Sequence, residues 1–302
     1  MPEMPEVESL ARWLNARTAG LTVDRAEVLA ISALKTYDPP IDALKGRVVT
    51  SWGRAGKFLL CKTSPDVEGG DEPIMYLAIH LARAGWLRWS DDAAVTKSGK
   101  PAKGGLAKGP QALRVIFSDG SGFVATEAGT DKRLRVHVVR DPMEIEHIRT
   151  LGPDPLSDAF TVEALHAILQ ANGRSQIKGV LTEQGVIAGV GNAYSDEALH
   201  AAKLSPFKPA NSLTFEDTST LHAAIRSMLN KAIERSAGKP ASELKDAKRT
   251  GMRVHARSGQ PCPECDDTVR EVSFSTKSLQ YCPTCQTGGK PLADRRLSRL
   301  LK

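Results

Sequence analysis

The chain has 302 residues, with 41 Lys and Arg against 35 Asp and Glu, a formal charge of +6 and a pI near 9.1. That length suits two domains of ordinary size, and the basic balance suits a polyanionic partner. The longest apolar runs are far too short to cross a bilayer and no positively flanked apolar stretch opens the sequence, so a soluble, cytoplasmic protein without a membrane partner is expected. Four of the five cysteines stand in two C-x-x-C pairs, a pattern that reads as metal ligation rather than a disulfide framework.

Taken in order, the chain starts with a helix. Pro5, Glu6 and Glu8 suit a helix N-terminus, and Val7, Leu10, Ala11 and Leu14 form one apolar face. Short stretches rich in β-branched and apolar residues follow at 21–28, 48–52, 58–62, 75–81, 86–89, 113–117, 123–126 and 134–139. Gly, Asp and Ser clusters separate them, as in a meandering antiparallel sheet or sandwich. Cys61, in one of these stretches, reads as a small buried hydrophobe. An acidic loop at 63–73 and a Lys, Gly and Ala-rich loop at 90–110 interrupt the strands, and the second offers almost nothing to bury. A rigid connector, Leu151-Gly152-Pro153-Asp154-Pro155-Leu156, leads to helical spacing at 161–171, 176–184, 191–202 and 216–235. A polar stretch at 236–251 precedes the cysteines.

The expected fold class is therefore α+β. An N-terminal antiparallel β-sandwich flanked by helices occupies 1–140 and a linker 141–160. A helical domain follows at 161–251, for which the family resemblance set out below implies a helix–two-turn–helix DNA-binding role, then a zinc-ribbon hairpin at 252–290 and a basic tail at 291–302.

Four places carry chemistry. First, removal of the initiator Met1 would leave Pro2 with a free secondary amine, and an α-amino group titrates near pH 8, roughly 7.7–8.0, so a usable fraction is nucleophilic at neutral pH. Helix initiation accounts for Pro5 and Glu6 but not for the extra Pro2-Glu3 pair. Second, Gly53-Arg54-Ala55-Gly56-Lys57-Phe58 precedes a strand and lacks the hydroxyl residue of a phosphate-binding Walker loop; a lone Lys at such a turn is ordinarily a solvated charge. Third, in Gln184-Gly-Val-Ile-Ala-Gly189-Val190-Gly191-Asn192 the glycines either turn backbone N–H groups towards an anion or make a plain helix-to-helix turn capped by Asn192. Fourth, Cys262, Cys265, Cys282 and Cys285 form C-x2-C-x16-C-x2-C. Two such knuckles close a tetrahedron around one structural Zn2+ and leave no position open for chemistry.

The first eight residues, the central glycine motif and a four-thiolate finger closing with Tyr281-Cys282-Pro283-Thr284-Cys285-Gln286 resemble the formamidopyrimidine-DNA glycosylase and endonuclease VIII family. Met4 is the one departure in the first eight. The resemblance implies a monomeric, nucleoid-associated base-excision-repair enzyme with DNA glycosylase and abasic-site lyase activities, acting on damaged double-stranded DNA without a small-molecule cofactor. By that resemblance Pro2 is the nucleophile that forms a Schiff base and drives β/δ-elimination, Glu3 protonates the opening sugar ring, and Glu6 relays protons or holds the site in register. Lys57, Asn192 and Lys277 hold phosphates, and His80, in His80-Leu81-Ala82-Arg83-Ala84-Gly85, lies near the DNA backbone. Lys277 stands where the family has an arginine, which keeps the charge and loses the bidentate fork. Arg83 stands where the purine-excising branch inserts a methionine, the stretch 129–135 lacks the expected Arg-Phe-Gly loop, and 236–253, where a purine-capping loop would lie, looks shortened. Oxidised purines are placed ahead of oxidised pyrimidines on this pattern. The competing readings are an endonuclease VIII-type pyrimidine glycosylase and a DNA-binding protein that recognises damage without cutting.

Overall fold

A computed structural model describes residues 2–66, 73–93, 110–274 and 278–293. It divides into two compact units, 1–150 with 236–245, and 151–235 with 246–302.

The N-terminal unit starts with α1 (Met4–Thr18). Helix initiation accounts for Glu3 as well, against the sequence expectation: Glu3 is the N-cap, Pro5 lies in the first turn, and the Glu6 carboxylate accepts the Glu3 backbone N–H at 2.8 Å, half of a capping box. Val7, Leu10, Ala11 and Leu14 are buried as their spacing predicts. Full burial of each leucine contributes about 1.5–3 kcal/mol.

Strands β1 (Val23–Val28), β2 (Val48–Ala55), β3 (Phe58–Ser64), β4 (Met75–His80), β5 (Gly85–Ser90), β6 (Gln111–Phe117), β7 (Gly122–Glu127) and β8 (Arg135–Val139) form two four-stranded sheets, in orders β1-β6-β7-β5 and β2-β3-β4-β8. Every pairing is antiparallel. Inward side chains of both sheets and of α1 share one core, including Leu59, Ile79 and Val138 from one sheet and Leu113, Val115 and Phe123 from the other. Trp52 and Phe123 meet edge to face across it, 5.9 Å apart. A short helix α2 (Glu146–Arg149) closes the unit's first segment.

The second segment differs from the expected course of the chain. Residues 236–245 group with the N-terminal unit although the sequence places them at the end of the helical domain. The cause is apolar: Ala241 and Leu244 are buried in the sandwich core, the Trp86 indole N–H donates to the Ala241 carbonyl at 2.8 Å, and the Lys245 ammonium lies 4.9 Å from the Trp86 ring centre.

The C-terminal unit contains α3 (Val162–Ala171), α4 (Ile177–Thr182), α5 (Asn192–Ala201), α6 (Phe215–Ser236, whose last residue belongs to the other unit), α7 (Leu244–Thr250, which starts in it), the antiparallel hairpin β9 (Arg270–Ser273) and β10 (Ser278–Tyr281), and α8 (Pro283–Thr287). Thr161 caps α3, its hydroxyl accepting from the Ala164 N–H. Helix α5 packs against α4, β10 and α8. Among the described residues, no helix is long and apolar enough to cross a membrane.

Candidate active site and metal centre

In the N-terminal unit, Pro2, Glu3 and Glu6 are all buried, the two carboxylates at 2 % and 3 % exposure. Burying carboxylates this deeply is unfavourable unless hydrogen bonds compensate, and the Glu3 N–H to Glu6 bond is one such compensation. Helix α1 is fastened to β2 by three side chains. Asn15 accepts the Trp52 backbone N–H at 2.8 Å, the Thr18 hydroxyl takes the Trp52 indole N–H at 2.9 Å, and Glu8 pairs with Arg54 at 2.8 Å.

Strand β2 runs through a two-residue turn, Gly56-Lys57, into β3, with Ala55 opposite Phe58. Gly56 has φ +53°, the conformation that a glycine-first hairpin turn needs. Lys57 is only 9 % exposed, so the solvated-lysine reading is corrected: the residue is buried although it stands in a two-residue turn. Beside it, the Phe58 ring lies 4.7 Å from His80 and 6.1 Å from His137. Burial, then the positive charge of Arg135 and also of Lys57, pushes the His80 pKa down to about 4, and burial with Arg135 does the same to His137. Both rings are neutral at neutral pH. The Ala82 N–H donates to His80 Nδ1 at 3.3 Å, and His137 Nε2 is buried without a hydrogen-bond partner.

Arg83 is exposed on the tight turn between β4 and β5. Ala82 has φ +51° and the Gly85 N–H returns to the Leu81 carbonyl at 2.9 Å; a Cβ on Gly85 would come within 2.1 Å of that carbonyl oxygen, so only glycine closes the turn. The neighbouring 129–135 stretch is drawn in by buried Glu127, which accepts the Arg133 and Leu134 N–H groups at 2.9 and 3.0 Å. Burial pushes the Cys61 thiol pKa up, in keeping with an inert core residue.

In the C-terminal unit, α4 and α5 flank the glycine motif. Gly189 adopts φ +81°, whereas Gly191 is extended at −132° and serves as the N-cap of α5. Capping by Asn192 is therefore corrected: Asn192 is the first helical residue, and its side-chain amide donates to the Ser278 carbonyl on β10 at 2.8 Å. Gln184 holds the loop by accepting from the Gly189 N–H and donating to the Val190 carbonyl.

Behind the motif is a polar cluster for which the sequence offers no signal, because a lone Lys in one helix and an Asp-Glu pair in another look like solvated charges. Lys178 Nζ reaches the Asn192 carbonyl, the Ser195 hydroxyl and Asp196 at 3.0, 2.9 and 2.5 Å, and the second Asp196 oxygen meets His255 Nδ1 at 2.8 Å. Asp196 is fully buried. Glu197 accepts the backbone N–H groups of Arg253, Val254 and His255; burial, which outweighs these bonds, raises its pKa.

The four cysteines converge, with all four Sγ atoms within 4.8 Å of one another. Cys262 to Cys285 is 3.9 Å, Cys265 to Cys285 is 3.5 Å and Cys265 to Cys282 is 3.4 Å. These approach the edge of about 3.8 Å for a tetrahedron with zinc–sulfur bonds of about 2.3 Å. The Glu264 and Cys285 N–H groups point at the first sulfur of each knuckle, both at 3.5 Å. The donor set fits one zinc ion held by thiolates alone, a structural site. Lys277 and residues 294–302 of the basic tail lie outside the described residues, as do 67–72 and 94–109 of the two loops.

Three family models match the chain in order: the formamidopyrimidine-DNA glycosylase N-terminal domain at 1–126, the formamidopyrimidine-DNA glycosylase H2TH domain at 151–243, and a zinc finger found in FPG and IleRS at 259–288. The formamidopyrimidine-DNA glycosylase of Symbiobacterium thermophilum is 32% identical, covering 98% of this chain and 93% of its own. An uncharacterised formamidopyrimidine-DNA glycosylase-like protein of Mycobacterium tuberculosis is 58% identical over 154 residues, 51% of this chain and 96% of that protein. Among solved structures, the MutM (Fpg) protein of Thermus thermophilus superposes with a TM-score of 0.74 at 30% identity, covering 96% of this chain and all of that one. The Lactococcus lactis Fpg bound to abasic-site DNA has a TM-score of 0.78 at 24% identity over 94% and 99% of the two chains, a likeness of fold. The two antiparallel sheets, the helical domain and the four-cysteine hairpin define a zinc-finger protein of DNA-glycosylase architecture. The chain belongs to the formamidopyrimidine-DNA glycosylase family.

Proposed function

We propose that this protein removes oxidised bases from duplex DNA and then cuts the strand, with the Pro2 amine as nucleophile. The enzyme class, a DNA glycosylase with abasic-site lyase activity, is that of its family. The observation that carries the assignment to Pro2 is its burial beside two acids at the head of a helix bolted to the Lys57 hairpin.

In this reading the amine attacks C1′ and the base departs; Glu3 protonates O4′ as the ring opens to an iminium. The iminium acidifies the C2′ proton, whose loss expels the 3′-phosphate; a second elimination expels the 5′-phosphate. Glu6 fixes the Glu3 backbone. Lys57, His80, Asn192 and Lys277 engage phosphates, which positions the duplex without reading its sequence, and Arg83 enters the space left when the damaged nucleotide leaves the stack. Oxidised purines precede oxidised pyrimidines as substrates, the protein works as a monomer without a small-molecule cofactor, and its place is the cytoplasm, on the nucleoid.

Borohydride trapping on duplexes carrying an abasic site or an oxidised base tests the nucleophile. A covalent adduct mapped to Pro2 by mass spectrometry is expected. An adduct on another residue, or retarded DNA with no adduct, would sink the reading, the second outcome favouring a non-cutting damage binder. A cleavage panel of purine and pyrimidine lesions tests substrate order.

A further inference from the structure

Helix α5 presents one stripe to the finger. Asn192, Asp196 and His200 recur at intervals of four, and each touches a different part of the finger region: the β10 carbonyl of Ser278, His255, and a zinc-ligand sulfur. The last contact has no counterpart among the expected site residues. His200 is 2 % exposed, and its Nε2 lies 3.2 Å from Cys262 Sγ, while its Nδ1 is buried without a partner.

The position of the proton follows from those two facts. A proton on Nδ1 would bury an N–H with no acceptor and aim the Nε2 lone pair at a thiolate. A proton on Nε2 gives the sulfur a donor and leaves only an acceptor unsatisfied, the milder of the two losses. Ligation is disfavoured, since the four sulfurs close on one another and His200 is not part of that group.

We propose that His200 is a positioning residue of the zinc site, donating its Nε2 hydrogen to the Cys262 thiolate and so pinning the metal knuckle to the helix that begins at Asn192. Hydrogen bonds around a metal's ligands orient them and set their basicity. Cys262 therefore holds its charge less nucleophilically than it would alone, and the finger has a fixed register along α5.

The zinc-loaded full chain is compared with His200→Phe, which keeps a ring of similar bulk, and His200→Gln, whose amide restores a donor. Alkylation by iodoacetamide, resolved by mass spectrometry for each cysteine, is expected to quicken at Cys262 by about tenfold in H200F, the scale set by one hydrogen bond to a charged group, and to return towards wild type in H200Q. An unchanged Cys262 rate in H200F overturns the proposal. Cobalt-loaded wild type is expected to show a four-sulfur spectrum; a three-sulfur, one-nitrogen spectrum would make His200 a ligand and overturn it. Should H200F fail to fold, nitrogen–proton NMR of the zinc-loaded wild type decides: a proton on Nε2 supports the proposal, and one on Nδ1 overturns it.

Discussion

Pro2, Glu3 and Lys57 ride on a helix and a hairpin bedded on an apolar double-sheet core, whereas Asn192 rides on a helix braced by buried charges and a metal knuckle. Apolar packing is indifferent to chelators, while thiolate ligation and buried ion pairs respond to metal supply and to the loss of a single partner. The groups proposed for catalysis and the one proposed to hold phosphate can thus be disturbed separately.

The largest separation is expected from zinc removal or Cys282→Ser. Structural zinc supplies on the order of 10 kcal/mol or more to such a finger, so chelation should abolish duplex binding. All four tryptophans, Trp13, Trp52, Trp86 and Trp89, lie in the N-terminal unit. Their fluorescence should stay that of folded protein, and a parallel collapse of both signals would erase the contrast.

Next is Lys178→Met, which leaves the Asp196 carboxylate buried beside His255 alone. Removing one partner of such a pair costs about 3–5 kcal/mol, to be read as a lower urea midpoint by far-UV circular dichroism with the tryptophan transition little moved. An acid titration sharpens the contrast from the other side. His80 and His137 have folded pKa values near 4 against 6.5 for the free side chain. The unfolded chain binds more protons between those limits, so the stability they contribute is full above pH 6.5 and declines as pH falls towards 4. The loss is on the order of 3 kcal/mol in all, after allowance for the partial exposure of His80. Tryptophan-detected urea midpoints at pH 7 and 4.5 should show it, with a shallower slope in His137→Phe. The smallest effect is expected from Arg54→Ala. Loss of its pair with Glu8 costs about 1–2 kcal/mol, and single-turnover base excision should fall more than duplex affinity does.

Much of the architecture was legible because apolar, β-branched runs bounded by turn residues mark strands plainly: β3, β4 and β7 lie within a few residues of the expected stretches. The zinc ligands followed from spacing alone. Lys57 was singled out as a candidate, yet its burial was not foreseen, since exposure at a two-residue turn depends on neighbours the local sequence does not name. Residues 236–245 escaped because two small apolar contacts, Ala241 and Leu244, do not raise a periodic signal in a polar stretch. Lys178, Asp196 and His200 escaped for a different reason: a buried polar residue is recognised by its partners, and those stand 14 to 62 positions away in the chain.

The return of 236–245 makes the N-terminal unit discontinuous. The polypeptide changes unit after Thr150, after Arg235 and again after Lys245. A gene fragment stopping at the first of these points would encode both sheets complete, and still produce a sandwich with an unplugged wall. Trp86 would lose the carbonyl that receives its indole hydrogen, and the places of Ala241 and Leu244 would open to water. Dissection of this protein into independently expressed halves therefore calls for a graft of that ten-residue segment, not a simple truncation.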